Sequence, residues 1–266
     1  KIALVTGRLS LREVDIDSTH FDHWVYSGPV TLQNLARYKL VIWNVRSEDT
    51  GQLWKMNQKG EDNFLAVYVE AGGDVWLSGT GTYSRTRQAR GSVGLSPFGF
   101  DPPDFSFKFL KVESEFEGAG CTNGCFRVSG QTTALQRLNG FEGAYPSQMG
   151  LAEGYDTLRV VRPPFDSPFK GVPSCEGMVE PYGLDMNPRL RLFGGRLDTL
   201  YFYQSNAWLQ VPPFVPNSYM DHSACALRYS GPGQGRLMMF GFPLYFMPTG
   251  QVDQVMDASL RWLLGN

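Results

Sequence analysis

The sequence predicts an α/β fold, layered around a parallel sheet, and three observations predict it. A run of apolar residues at Lys1–Thr6 ends at Gly7. A second run, Lys39–Val45, has no polar alternation, as in a strand buried on both faces. A helix-spaced stretch then ends at Gly72-Gly73 and feeds a third apolar run. The order strand, connection, strand, helix, strand belongs to parallel sheets with helices above and below.

Each element has its own local signal. Thr31–Tyr38 reads as a short helix, with Thr31 as cap and Leu32, Leu35 and Ala36 on one face. Between Arg8 and Pro29 the pattern is ambiguous. Glu61 to Ala71 reads as a helix, because Phe64, Leu65, Tyr68 and Val69 recur at three- and four-residue spacing. Asp74–Leu77 is the third strand and runs into Ser78-Gly79-Thr80-Gly81. From Tyr83 to Val179 the regularity stops, with prolines at 97, 102, 103, 146, 163, 164, 168 and 173. Local strands are expected there at Phe105–Val112 and Thr157–Val161, and no helix. Regular structure resumes with strands at Leu197–Tyr203, Ala224–Tyr229 and Arg236–Phe242. Gly231-Pro232-Gly233 marks a hairpin turn before the last of them. Val252–Leu264 is an amphipathic helix whose apolar stripe is Val252, Val255, Met256, Leu260, Leu263 and Leu264, with Gly265 at its end. We therefore expect one domain over residues 1–266, with a loop- and β-rich insertion at about 83–179 that carries its own packing or a binding surface.

Composition narrows the function classes. The formal net charge is −2, which offers no general attraction to nucleic acid or an anionic membrane. Charged residues make up 19% of the chain against a usual figure of about 25%. Aromatics reach 14%, too many for a disordered chain, while 30 Gly and 17 Pro are too many for a mostly helical one. No apolar run reaches the roughly 18 residues of a membrane span. Position 1 is Lys1, which suggests a processed form or a piece of a longer chain. Cys121 and Cys125 lie in a glycine-rich turn, Cys175 follows Val-Pro-Ser, and Cys225 lies in His-Ser-Ala-Cys-Ala-Leu. Four cysteines allow three connectivities. A local Cys121–Cys125 bridge is the first expectation, which leaves Cys175 with Cys225. This points to an extracellular or cell-surface protein. A zinc site would need closer cysteine pairs.

Three blocks resemble a known family. The first is Phe21-Asp22-His23-Trp24, then Ser27-Gly28-Pro29, then Leu35 to Trp43. The second is Leu65 to Gly79, with Gly72-Gly73-Asp74-Val75-Trp76-Leu77-Ser78-Gly79 at its end. The third is Gly235-Arg236-Leu237-Met238-Met239-Phe240-Gly241-Phe242-Pro243-Leu244, followed by Leu260-Arg261-Trp262-Leu263-Leu264. In order and spacing they resemble the glutamine-amidotransferase-like (class I, flavodoxin-like) domain of large secreted bacterial proteins. The middle of the chain carries no match. The resemblance implies a flavodoxin-like three-layer sandwich with a mostly parallel sheet. One departure is the short crossover between Gly7 and Asp22, since a full strand–helix–strand unit takes about 30 residues. Either the first helix is trimmed or residues are missing there.

An active member of that class carries a cysteine at a sharp turn after the third strand, with a His and a Glu after the last strands. Such a turn puts the nucleophile at a helix N-terminus, where the dipole and backbone N–H groups lower its pKa. Here the strand ends Trp76-Leu77-Ser78-Gly79, without a cysteine, and no His-x-Glu follows the last strand. The resemblance thus implies a domain that has lost, or never had, that activity; no cofactor is expected.

Ser78 as nucleophile would need His222 as base and Asp221 or Asp198 to orient it; the plainer reading is a serine satisfying backbone groups in a glycine turn. His20, His23 and Asp22, with Asp15 and Asp17 nearby, could hold a metal or form a polar loop. Asp101 and Asp104 flank a diproline turn and match no calcium loop. Arg85, Arg87 and Arg90 could form an anion site or a solvated loop. Phe98 and Trp208 are candidate platforms for a glycan or peptide, whereas Phe105, Phe107 and Phe109 alternate like one face of a core strand. The expectation is a noncatalytic interaction or structural module whose partners are other domains or chains of a surface assembly. A Ser- or metal-dependent hydrolase and a carbohydrate-binding module are the alternatives.

Overall fold

Strand parity decides the architecture. Val41 and Trp43, Val75 and Leu77, and Leu237 and Met239 enter one apolar core. Leu40 and Ile42, Trp76, and Met238 and Phe240 enter another. Strands buried on both faces need cover on both, and helices supply it. The computed structural model describes residues 2–6, 21–25, 30–45, 63–79, 98–99, 105–110, 114–117, 141–159, 179–182, 195–205, 208–209, 215–216, 224–242, 244 and 247–265.

In chain order the strands are β1 (Ile2–Thr6), β2 (Phe21–Val25), β3 (Leu40–Val45), β4 (Asp74–Gly79), β5 (Phe98–Gly99), β6 (Ser114–Glu117), β7 (Phe141–Pro146), β8 (Leu158–Arg159), β9 (Val179–Tyr182), β10 (Arg196–Ser205), β11 (Trp208–Leu209), β12 (Val215–Pro216), β13 (Ala224–Ser230) and β14 (Arg236–Phe240). The helices are α1 (Leu32–Leu35), α2 (Phe64–Glu70), α3 (Phe105–Leu110), α4 (Gln148–Ala152) and α5 (Thr249–Leu264). Nine strands form one sheet in the order β2-β1-β3-β4-β14-β13-β10-β7-β8. Two small sheets, β5-β6-β9 and β11-β12, are not hydrogen-bonded into it.

The fold is α/β with a mixed sheet. From β2 to β14 all pairings are parallel. From β14 to β8 all are antiparallel. The sheet is therefore parallel in only one half, less than the mostly parallel sheet expected. Connection length accounts for the β13–β14 pair. The loop Gly231–Gly235 joins β13 to β14 directly, and so short a loop can only make an antiparallel pair. That hairpin is where the glycine-proline signal predicted it.

One core lies under α1, α2 and α3, and the other under α5. The Asn63 side chain caps α2, accepting from the N–H groups of Leu65 (2.9 Å) and Ala66 (3.2 Å). At the C-terminus of α5, Gly265 adopts a left-handed φ of 77° and its N–H donates to Arg261 O (3.0 Å). Of the apolar stripe, Val255 and Leu263 are buried, Val252, Met256 and Leu260 are half-buried and Leu264 is exposed; Ala258 is buried beside them.

The strand expected at Phe105–Val112 is helix α3 instead. Alternation over three phenylalanines also contains an i, i+4 pair, and that is the pair used. Phe105 and Phe109 are fully buried, their ring centroids 5.0 Å apart, and Phe109 packs edge-on against Tyr229 at 5.7 Å. Lys108 pairs with Glu70 and ties α3 to α2.

Asp74 pins the N-terminal ends of three parallel strands. It is 2% exposed. Its Oδ1 accepts the Arg236 N–H of β14 at 2.8 Å. Lys39, beside β3, reaches within 3.0 Å of its Oδ2, an ion pair whose angle does not make it a hydrogen bond. Lys39 is 58% exposed, so solvent screens that pair, and the bond to Arg236 is the larger effect. Asp74→Ala is expected to cost about 1–3 kcal/mol in urea unfolding, because it strands a buried N–H. Asp74→Asn keeps an acceptor and should cost less than half as much. Equal losses would assign the effect to the ion pair.

Candidate functional site

In an open α/β sheet the carboxyl ends of the parallel strands are where ligands and catalytic groups collect. Here Thr6 of β1 is in register with Asn44 of β3, Asn44 with Ser78 of β4, and Ser78 with Phe240 of β14. Three adjacent apolar strands thus turn polar at the same level. Asn44 is partly exposed and Ser78 is 7% exposed. Asn44 was not singled out from sequence, although a lone polar residue inside Leu-Val-Ile-Trp-Asn-Val is a visible signal.

Ser78 sits within the ladder. It pairs with a strand on each side, and β4 continues through Gly79, which pairs with Val45. The backbone at Ser78 is that of a strand, not of a sharp strand-to-helix turn. Next along the same face, Trp76 is 1% exposed and packs edge-on against Phe240, centroids 5.5 Å apart. Its indole N–H has no acceptor among the described residues.

Asp198 does not join Ser78. It lies on β10, which β13 and β14 separate from β4. Three strand spacings amount to about 14 Å of sheet, far beyond hydrogen-bond reach. Its carboxylate is already engaged, accepting from Arg196 Nε (2.8 Å) and Arg228 Nε (3.1 Å). His222 and Asp221 lie outside the described residues.

Arg228 is the charged residue that sequence reasoning passed over. It is 3% exposed, in the middle of β13. Both of its terminal nitrogens donate to the Glu153 carboxylate, just past α4, and its Nε donates to Asp198. Its guanidinium lies over the Trp262 ring of α5, 4.7 Å from the centroid. Arg236 of β14 reaches the same ring at 5.6 Å and donates to the Trp262 carbonyl. A single arginine in Ala-Leu-Arg-Tyr announces a buried charge, but not its partners, which lie 30 and 75 residues away. Beside the cluster, burial pushes the Tyr155 hydroxyl up to about 12, against the opposing pull of its bond to Ser259 (3.1 Å).

Cys225 corrects one expectation. It is a free thiol in β13, fully buried, and is not bridged to Cys175. The even count of loop cysteines suggested the pair, but Cys225 belongs to β13, a strand of the main sheet, and its side chain lies in the core under α5. Burial pushes its thiol well above the ordinary range, so it offers no thiolate. Cys121, Cys125 and Cys175 lie outside the described residues.

The remaining candidates are scattered. Asp22 and His23 are on β2, the edge strand, in register with Ala3 and Leu4. Phe98 is in β5, opposite Glu115, and Trp208 is in β11, opposite Pro216. His20, Arg85, Arg87, Arg90, Asp101 and Asp104 lie outside the described residues.

No family model and no curated protein matches the chain. Among solved structures it is similar to the mmIFT52 N-terminal domain, at 11% identity and a TM-score of 0.42, over 99% of this chain and 98% of that one. It is also similar to the Cytoplasmic Protein STM3548 from Salmonella typhimurium, at 10% identity and a TM-score of 0.41, over 99% and 98%. Likenesses this distant carry no argument about function.

Proposed function

We propose that this chain is a noncatalytic α/β module of the amidotransferase-like, flavodoxin-like type, acting as an interaction or structural part of a secreted or surface assembly. The observation that carries the reading is the setting of Ser78. A nucleophile must be lifted out of the sheet toward an oxyanion hole, and Ser78 is held inside the ladder by strands on both sides. The order β2-β1-β3-β4-β14 supports the scaffold, because it is the 2-1-3-4-5 order of flavodoxin-like sheets. The antiparallel strands β13, β10, β7 and β8 extend that scaffold on one side.

The test is a hydrolysis screen of the purified chain against p-nitrophenyl esters, peptide amides and glutamine. Rates equal to buffer are expected. Turnover that disappears in Ser78→Ala would establish a serine hydrolase and end the noncatalytic reading.

Secretion has its own test. Alkylation mapped by mass spectrometry, without reductant, should find Cys121 and Cys125 bridged. Cys225 should react only after denaturation, since it is buried. Free Cys121 and Cys125 in protein taken from an oxidising compartment would remove the support for an extracellular role.

A further inference from the structure

We propose that the Arg228 cluster is an acid-released latch, which holds the turn after α4 and the C-terminal end of α5 against the sheet. Three elements converge on one buried cation. The turn after α4 supplies Glu153, β10 supplies Asp198, and α5 supplies the Trp262 ring. Exposure makes the contact conditional: Arg228 is 3% exposed, Asp198 13% and Glu153 33%. The cation is sealed in, while the carboxylate that grips both of its terminal nitrogens is open to solvent protons.

A buried ion pair gains little over apolar packing, yet removing one partner's charge strands the other in a low dielectric. Protonated, neither carboxyl neutralises the guanidinium. Opening restores the water that a bare cation needs, so acid favours the open state. The other charged and titratable groups nearby do not substitute. Arg196 competes for Asp198 at 2.8 Å, and Arg236 adds a second cation at the Trp262 ring. On α5, Asp257 is paired with Arg261 at 2.8 Å. Tyr155 is bonded to Ser259.

The measurement is hydrogen–deuterium exchange by mass spectrometry on the full chain, at neutral pH and in mild acid, corrected for the intrinsic chemical rate. In acid, peptides over residues 148–159 and 256–264 should exchange about ten-fold faster or more, while those over β3 and β4 stay unchanged. Glu153→Gln should open the same peptides at neutral pH. Arg228→Met keeps the stem and leaves no cation to strand, so its acid response should vanish. An acid response in Arg228→Met equal to that of the wild type overturns the latch. So does no acid response in the wild type. If Arg228→Met does not fold, Glu153→Gln decides, and wild-type exchange in that variant at neutral pH overturns the proposal.

Discussion

Gly235→Ala is expected to cost about 3 kcal/mol or more, and to lower the melting temperature by roughly 6–12 °C for a chain of this size. The cause is steric and local. A Cβ at Gly235 would stand 1.9 Å from the carbonyl oxygen of Gly73 and 2.5 Å from its carbon. Backbone cannot swing aside as a side chain does. Gly235 is also held from its other side, because its N–H donates to Val69 O at 2.7 Å. Gly73 cannot retreat either. It lies flat on the Tyr68 ring, where a Cβ of its own would be 2.2 Å from Cζ, and the Tyr68 hydroxyl is tied to Tyr38 O at 2.9 Å. Two glycines far apart in sequence thus let the β13–β14 turn close against the end of α2. Gly233→Ala is the control. Gly233 has a φ of 71°, but a Cβ there meets nothing within 4 Å, so its cost should be the backbone strain alone, about 1–2 kcal/mol. Thermal and urea unfolding of both variants separate contact from strain; equal losses would refute the contact.

Trp76→Ala should cost about 3–5 kcal/mol. Trp76 lies in the middle of β4, between Ile42 and Met238 in register, under α5. Among the described residues it is the largest fully buried side chain, and it begins an aromatic chain through Phe240 to Phe242 and Tyr201. Trp76→Phe is the informative partner. It loses part of the ring but also removes a buried N–H that no described residue satisfies. The two effects oppose, so Trp76→Phe should cost less than half of the alanine variant in urea unfolding with unchanged m-value. A phenylalanine variant as unstable as the alanine one would mean that the indole N–H is satisfied after all.

Much of the scaffold was legible because it is written in local pattern. Leu40–Trp43 and Leu237–Phe240 are unbroken apolar runs and are buried in strands β3 and β14. The spacing of Val255 and Leu263 gave away α5, and Gly231-Pro232-Gly233 gave away the hairpin. A helix stands where a strand is expected at α3 because Phe105, Phe107 and Phe109 satisfy two periods at once, and only packing against Tyr229 chooses between them. Strand β7 and helix α4 were not anticipated. Phe-Glu-Gly-Ala-Tyr-Pro has weak strand character, and it pairs because β10 offers it an edge. Among the candidate site residues, Ser78 was legible as a strand-end serine. That it lies level with Asn44 and Thr6 depends on register, which no single strand contains.

By itself the sequence determined which segments are buried on both faces, where chains turn, and that the expected elbow holds a serine and no cysteine. Those properties follow from hydrophobic period, glycine conformation and residue identity, all local to a few residues. Tertiary structure decided the rest. It made the sheet parallel in one half and antiparallel in the other, and it set Asp198 three strands from Ser78. It also buried Cys225 as a thiol and delivered Glu153 and Asp198 to Arg228. The physical reason is common to all of these. Strand order, register and charge pairing are set by long-range contacts, whose partners are chosen only when the whole core is packed.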